Sequence, residues 1–209
     1  MKYKQRLSVS LLAMTALIHS GIVAAEVFVA PFGGYSFGTT DFSTIDSETE
    51  EESTVKIAES EHWGVMAGVT TADPGNIYLL YSHQSTAFSI GDNLNQSEIS
   101  RFAIDYWHLG GSLYFPKGKF RPYITTSAGL THMRPENGFS NETSFSMGIG
   151  GGAEYQFTPN FALFADMRGY ATFVNSSQAL FCNSGNCKWL VDSELMWQGQ
   201  VNMGAKLTF

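Results

Sequence analysis

Strict alternation of apolar and polar residues, sustained over segments longer than ten positions, constrains this chain more than any other feature. Across 144–158, Phe145, Met147, Ile149, Gly151, Ala153, Tyr155 and Phe157 share one face. Ser144, Ser146, Gly148, Gly150, Gly152, Glu154 and Gln156 share the other. The next segment sets Phe161, Leu163, Ala165, Met167, Gly169, Ala171 and Phe173 against Ala162, Phe164, Asp166, Arg168, Tyr170 and Thr172. In the last, Leu195, Trp197, Gly199, Val201, Met203, Ala205, Leu207 and Phe209 oppose Gln198, Gln200, Asn202, Lys206 and Thr208. A period of two belongs to an extended strand, whose side chains point to opposite faces in turn. Strands of soluble sheets average about five or six residues. A strand that crosses a bilayer at a tilt needs about 9–11, with one face in lipid. Length selects the second.

Composition and connections agree. Only 15% of the 209 residues are charged, against roughly a quarter in ordinary soluble domains. A helical membrane protein needs runs of about 20 apolar residues, and none exists beyond the first 25 positions. Abundant, evenly spread aromatic residues argue against disorder. Short turn-rich links at 71–76, 116–119 and 158–160 alternate with longer polar ones at about 39–60, 87–97, 134–143 and 175–190. Three short and four long connections predict eight strands, at about 26–38, 61–70, 77–86, 98–115, 121–133, 144–157, 161–174 and 191–209. The expected fold is therefore all-β, an eight-stranded antiparallel transmembrane β-barrel with short periplasmic turns and longer extracellular loops. The first, third and fifth strands are less cleanly two-faced than the last three. In the fourth, Phe102, Ile104 and Tyr106 form the apolar side, and the preference blurs past His108, as at a bulge or the bilayer edge.

The amino terminus has the form of a signal peptide, 1–25. Lys2, Lys4 and Arg6 precede the apolar stretch LLAMTALI at 11–18, and Val23-Ala24-Ala25 supplies the small residues of a cleavage site. The apolar stretch is too short to span a membrane. No Cys follows the cleavage point, so no lipid anchor is expected there. The barrel domain would be 26–209, with nine basic against 19 acidic residues and a formal charge of −10. Such a chain is a poor ligand for nucleic acid. Cys182 and Cys187 flank the turn-forming run NSGN. In an oxidising compartment they are expected to form a local disulfide. A metal site would need further ligands close by, and none is evident; a redox CxxC motif would need closer spacing. No cofactor is expected.

Several strings carry a resemblance to a known family. They are YSHQST at 81–86, DYWHLGGSLYF at 105–115, RPYITTSAGLTHM at 121–133, FSMGIGGGAEYQFT at 145–158 and DMRGYATFVNSSQALFCNSGNC at 166–187. Over roughly 77–209 the chain resembles the bacterial outer membrane protein beta-barrel domain family, related to OmpA-like transmembrane barrels and small porin-like proteins. The resemblance implies a barrel in the outer membrane of a Gram-negative bacterium, and no particular activity. Phe209, with Leu207, Ala205 and Met203 in step before it, looks like the terminal signal read by the barrel assembly machinery. Expected partners are outer-membrane lipid, lipopolysaccharide and that machinery, with the protein a monomer.

An eight-stranded barrel is just wide enough to be filled by its own side chains, which disfavours a diffusion pore. Alternation assigns Arg101, Asp105, Glu154, Asp166, Arg168 and Lys206 to the interior, with Gln198, Gln200 and Asn202. Three acids against three bases suit a closed network, since charges away from bulk water must be paired. A gated conduit or proton path is the alternative. At the expected outer rim, His83 and Ser85 of His83-Gln84-Ser85 share a face, with His62 and Asp92 as candidate neighbours. Some eight-stranded outer-membrane barrels are lipid A deacylases or acyltransferases that use Ser, His and an acid. A nucleophile needs a base within hydrogen-bond reach and an acid to orient it. A polar rim strand is the plainer reading of an HxS pair. The first long loop carries Asp41, Asp46, Glu48, Glu50, Glu51, Glu52, Glu59 and Glu61 against Lys56 alone, without calcium-loop spacing. It reads as a solvated loop that discourages self-association. The expected role is structural or surface-interacting, with a plugged interior. A rim lipid A acyl hydrolase using His83 and Ser85, or a narrow pore for small solutes, are the competing readings.

Overall fold

The structure, a computed structural model, describes residues 25–38, 42–45, 52–90, 97–135, 141–174, 180–183, 186–189 and 195–209. Residues 1–24 of the expected signal peptide, Asp92, and Asp41, Asp46, Glu48, Glu50 and Glu51 of the acidic loop lie outside them. Twelve strands are described, in the order β1 (Val27–Gly38), β2 (Phe42–Ile45), β3 (Glu52–Ile57), β4 (Ser60–Thr70), β5 (Gly75–Ile90) and β6 (Ser97–Tyr114). They continue as β7 (Phe120–Pro135), β8 (Glu142–Thr158), β9 (Phe161–Phe173), β10 (Leu180–Asn183), β11 (Asn186–Trp189) and β12 (Leu195–Thr208).

Eight of these close a barrel. The sheet runs β6–β7–β8–β9–β12–β1–β4–β5, and β5 pairs with β6 to complete the circle, every pairing antiparallel. The seam between the first and last strands joins Val29 to Leu207 and Tyr35 to Val201. It is interrupted at Ala30 and Pro31, where proline has no N–H to give the ladder. Closure leaves no open edge, so the barrel's backbone groups can be satisfied without water.

At one end the turns are tight. Lys117 pairs with Phe120, with Gly118 at φ 66° between them, a left-handed conformation that costs glycine nothing. Pro159 and Asn160 close the β8–β9 hairpin, and the Asn160 amide donates to the carbonyl of Thr208 at 2.8 Å. Both ends of the barrel domain lie on this side. The opposite end carries the long connections, two of which hold hairpins that alternation does not reveal. β2 pairs with β3, and β3 extends β5 beyond the barrel through Val55–Ile90 and Ile57–Phe88. β10 pairs with β11 and sets Cys182 opposite Cys187 in the ladder. The expected disulfide concerns side chains outside the described set.

The molecule is inside-out by the standard of a soluble protein. Ile149, Met167, Met203, Leu79 and Leu109 are all more than half exposed. An apolar surface of this extent, all round the wall, fits lipid as its solvent. Two aromatic girdles bound it. Trp63, Trp107, Phe145, Phe173 and Trp197 ring the end with long connections, and Phe115, Phe120, Tyr155, Phe157 and Phe209 ring the other. On β8 the girdle residues Phe145 and Tyr155 are ten residues apart. At about 3.3 Å per residue and a tilt near 40°, that is roughly 25 Å along the normal, the height of an outer-membrane apolar band.

Candidate functional site

The barrel's inner face is filled in layers. Next to the short turns, Glu154 accepts from the Lys206 ammonium at 2.9 Å and from Arg121 at 3.2 Å, and Tyr114 donates to it at 3.2 Å. Above this, Asp166 takes Arg168 Nη2 at 2.8 Å, with Tyr123 OH and Asn202 Nδ2 each at 2.7 Å. Arg168 also donates to Tyr78 OH at 3.2 Å. The amide oxygen of Asn202 meets His62 Nε2 at 2.6 Å, and His62 Nδ1 meets Ser36 at 2.8 Å. His108 then bridges Ser127 and Ser146 at 2.9 and 2.8 Å. Tyr106 stacks on Tyr170 with centroids 4.4 Å apart and donates to Gln198, which donates in turn to Gln84 at 2.6 Å. At the end with long connections the filling is mostly apolar, with Phe102, Ile104 and Met196 set opposite Thr86, Gln84 and Thr172 in the ladder and Met133 and Val174 beside them.

Glycine makes this filling possible. Inward-facing Gly148, Gly150 and Gly152 of β8 stand opposite Tyr170, Arg168 and Asp166 of β9. A Cβ at Gly150 would meet the Met167 carbonyl and Arg168; one at Gly152 would meet the Ala165 carbonyl and Asp166. Gly129 lies in the same way beneath His108, and Gly110 beneath Tyr78. Small residues on one strand thus admit large ones from the next, as a narrow barrel requires.

Of the residues expected inside, Glu154, Asp166, Arg168, Lys206, Gln198, Gln200 and Asn202 are buried there. Arg101 and Asp105 lie outside the lumen, Arg101 exposed and Asp105 buried beneath its partners on the outer wall. They share the outward phase of β6 with Trp107, while Phe102, Ile104 and Tyr106 point inward. Period two defines two faces but not which one meets lipid. Beyond the girdle the outer face meets headgroups and water, so the polarity rule reverses. The lumen's third cation is Arg121, directly across the β7–β8 ladder from Glu154. In sequence it follows Lys117 and Lys119 of a short turn, and only the register brings it to Glu154.

His83 and Ser85 point outward on β5. His62 is not beside them: it pairs with inward Gln84, whereas His83 pairs with Trp63. The acid instead comes from β6, since Asp105 is opposite His83 in register. His83 Nδ1 is 2.6 Å from Asp105 Oδ1, and His83 Nε2 is 3.4 Å from Ser85 Oγ. Tyr81 OH donates to the same carboxylate at 3.1 Å, and Arg134 Nη2 holds its other oxygen at 2.6 Å. Trp63 lies 5.6 Å from His83, centroid to centroid. No group of His, Cys, Asp and Glu able to hold a metal occurs among the described residues.

Closed circle, aromatic girdles, apolar outer wall and polar lumen together define a small outer-membrane β-barrel. The chain belongs to the outer membrane protein beta-barrel domain family, whose model matches residues 10–209. Among solved structures it is similar to Neisserial surface protein A, at 16% identity and a TM-score of 0.59 over 88% of this chain and 97% of that one. It is also similar to the outer membrane protein OprG from Pseudomonas aeruginosa, at 13% identity and a TM-score of 0.55 over 88% and 96%. The N-terminal beta-barrel domain of Pseudomonas aeruginosa OprF aligns at 15% identity and a TM-score of 0.50 over 88% and 98%. Likeness at these identities is one of fold. No curated protein matches the chain.

Proposed function

We propose that this protein is a plugged barrel of the outer membrane, serving as an integral structural element that displays its outer loops, and that it conducts no solutes. The observation that supports this best is the stacked filling of the lumen. Two ion-paired layers, one around Glu154 and one around Asp166, lie beneath a mostly apolar layer that includes Phe102, Ile104, Met133, Val174 and Met196. An ion entering from outside would leave water for that layer, with few polar groups to receive it, and desolvation there is costly. Partners on this reading are outer-leaflet lipid and lipopolysaccharide, met by the girdles, and the assembly machinery, met by Phe209. That residue is 74% exposed, and its N–H is tied to the Val27 carbonyl at 2.8 Å. Removal of the signal peptide belongs to the same proposal.

Planar-bilayer recording tests it. The folded protein is expected to give no discrete conductance steps, as is a Met196→Leu variant that keeps the apolar layer. Steady single-channel current through the wild type would refute the plug and favour a narrow pore.

A further inference from the structure

On the outside of the barrel Asp105 is ion-paired with Arg134 and bonded to His83, and Ser85 lies on the far side of the imidazole. His83 and Ser85 stand two residues apart on β5, so the pleat puts both side chains on the outward face. The geometry runs Ser85 Oγ, 3.4 Å, His83 Nε2, then His83 Nδ1, 2.6 Å, Asp105 Oδ1. A carboxylate on Nδ1 holds the imidazole proton there and leaves the Nε2 lone pair facing the hydroxyl, the order needed for a serine nucleophile with its general base. The longer serine contact is ordinary for a site without substrate. Arg134 and Tyr81 fix the carboxylate from two further directions.

Position supplies the substrate class. His83 rests on Trp63, and Tyr81 packs on Trp107 at 4.5 Å and on Trp63 at 5.8 Å. Trp and Tyr of this kind settle at the headgroup level of a bilayer. His83 is directly opposite Trp63 in the ladder, so the His83–Ser85 pair stands at the girdle, where headgroups meet acyl chains. Below the pair, Leu79 and Leu109 offer an apolar wall for an acyl chain, each about 60% exposed. Arg134 stands in the cross-strand row Ser85–Ala103–Arg134, with its side chain 45% exposed.

We propose that Ser85, His83 and Asp105 form a hydrolase site for carboxylic esters of membrane lipids in the outer leaflet. Ser85 Oγ adds to the ester carbonyl as its proton passes to His83 Nε2. Collapse breaks the bond to the lipid alcohol, which leaves with the proton from His83. Water, deprotonated by His83, then releases the acyl group from Ser85 as a fatty acid. Ester and water become acid and alcohol, and the side chains return to their starting state. Asp105 is a positioning residue. This activity resides on the outer wall and is independent of whether the lumen conducts.

The experiment uses the folded full-length barrel, in one arm in phosphatidylethanolamine–phosphatidylglycerol vesicles and in the other mixed with lipopolysaccharide micelles. Free fatty acid is measured by mass spectrometry. Release in one arm identifies the source of the ester. Ser85→Ala and His83→Ala, each checked for folding by its heat-shifted gel band, are expected to lose on the order of a hundredfold or more in rate. Asp105→Asn should slow release, and Asp105→Glu should restore part of it. A fluorophosphonate probe should label the wild type on the peptide containing Ser85. Release no greater than in protein-free controls in both arms, or an unchanged rate in folded Ser85→Ala, would overturn the proposal.

Discussion

Replacing Arg168 by Met probes the lumen most directly, because it removes the charge while keeping most of the volume. Arg168 is 6% exposed and gives Asp166 three contacts, from Nε at 3.1 and 3.2 Å and from Nη2 at 2.8 Å. Asp166, itself 4% exposed, would keep only Tyr123 OH and Asn202 Nδ2, at 2.7 Å each. Breaking one side of a buried ion pair costs about 3–5 kcal/mol. The two surviving hydrogen bonds place the expected loss near the lower end, about 3 kcal/mol. Adding Asp166→Asn removes the stranded charge, so the double variant should recover to within about 1–2 kcal/mol of wild type. Urea titration of the barrel in lipid vesicles reads this out, following the heat-shifted gel band and tryptophan fluorescence together. A single variant within 1 kcal/mol of wild type would refute the reasoning, as would a double variant in which the two losses simply add.

Three further outcomes follow from the same structure. Gln198 is bonded to Gln84 and Tyr106, whereas both amide atoms of Gln200 are buried without a protein partner. Gln198→Met should therefore lower the urea midpoint, by the equivalent of about 1–3 kcal/mol, while Gln200→Met should leave it unchanged or raise it. Gly152→Ala forces a methyl against Asp166 and should cost about 1–3 kcal/mol, whereas outward Gly151→Ala meets only the Tyr123 carbonyl, at 3.4 Å, and should be tolerated. The ladder position of Cys182 opposite Cys187 predicts that the exported protein takes up iodoacetamide only after reduction, measured as intact mass.

The eight wall strands were legible because alternation is a direct imprint of a wall with two different solvents. β8, β9 and β12 fall within a few residues of their expected limits. The hairpins β2–β3 and β10–β11 were not legible, because neither face of a short strand beyond the bilayer is committed to lipid. The failure at Arg101 and Asp105 has the same root: the face that meets lipid lower on β6 meets headgroups and water higher up. Contacts between strands were hidden for a different reason. Asp105 beside His83 and Arg121 beside Glu154 are directly opposed in the ladder, and such pairs depend on register. Register is set by turn geometry and by which side chains fit beneath which glycines. The HxS pair itself was visible, but its acid came from a strand that spacing along the chain could not select.

The polar inner face bears on the route by which such a chain reaches its membrane. Most wall strands interleave lipid-facing residues with Ser, Thr, Gln, Asn or charged neighbours, as β12 does with Gln198, Gln200, Asn202 and Lys206. No strand therefore offers the unbroken apolar run of about 18 residues or more that would be read as a membrane-spanning helix. Before closure, the residues destined for the lumen keep the extended polypeptide hydrated. It can pass the inner bilayer and cross an aqueous compartment without being retained by the first lipid it meets. Hydrophobicity emerges only on rolling up, when the side chains that carried the chain through water are enclosed and its fatty exterior forms at the destination.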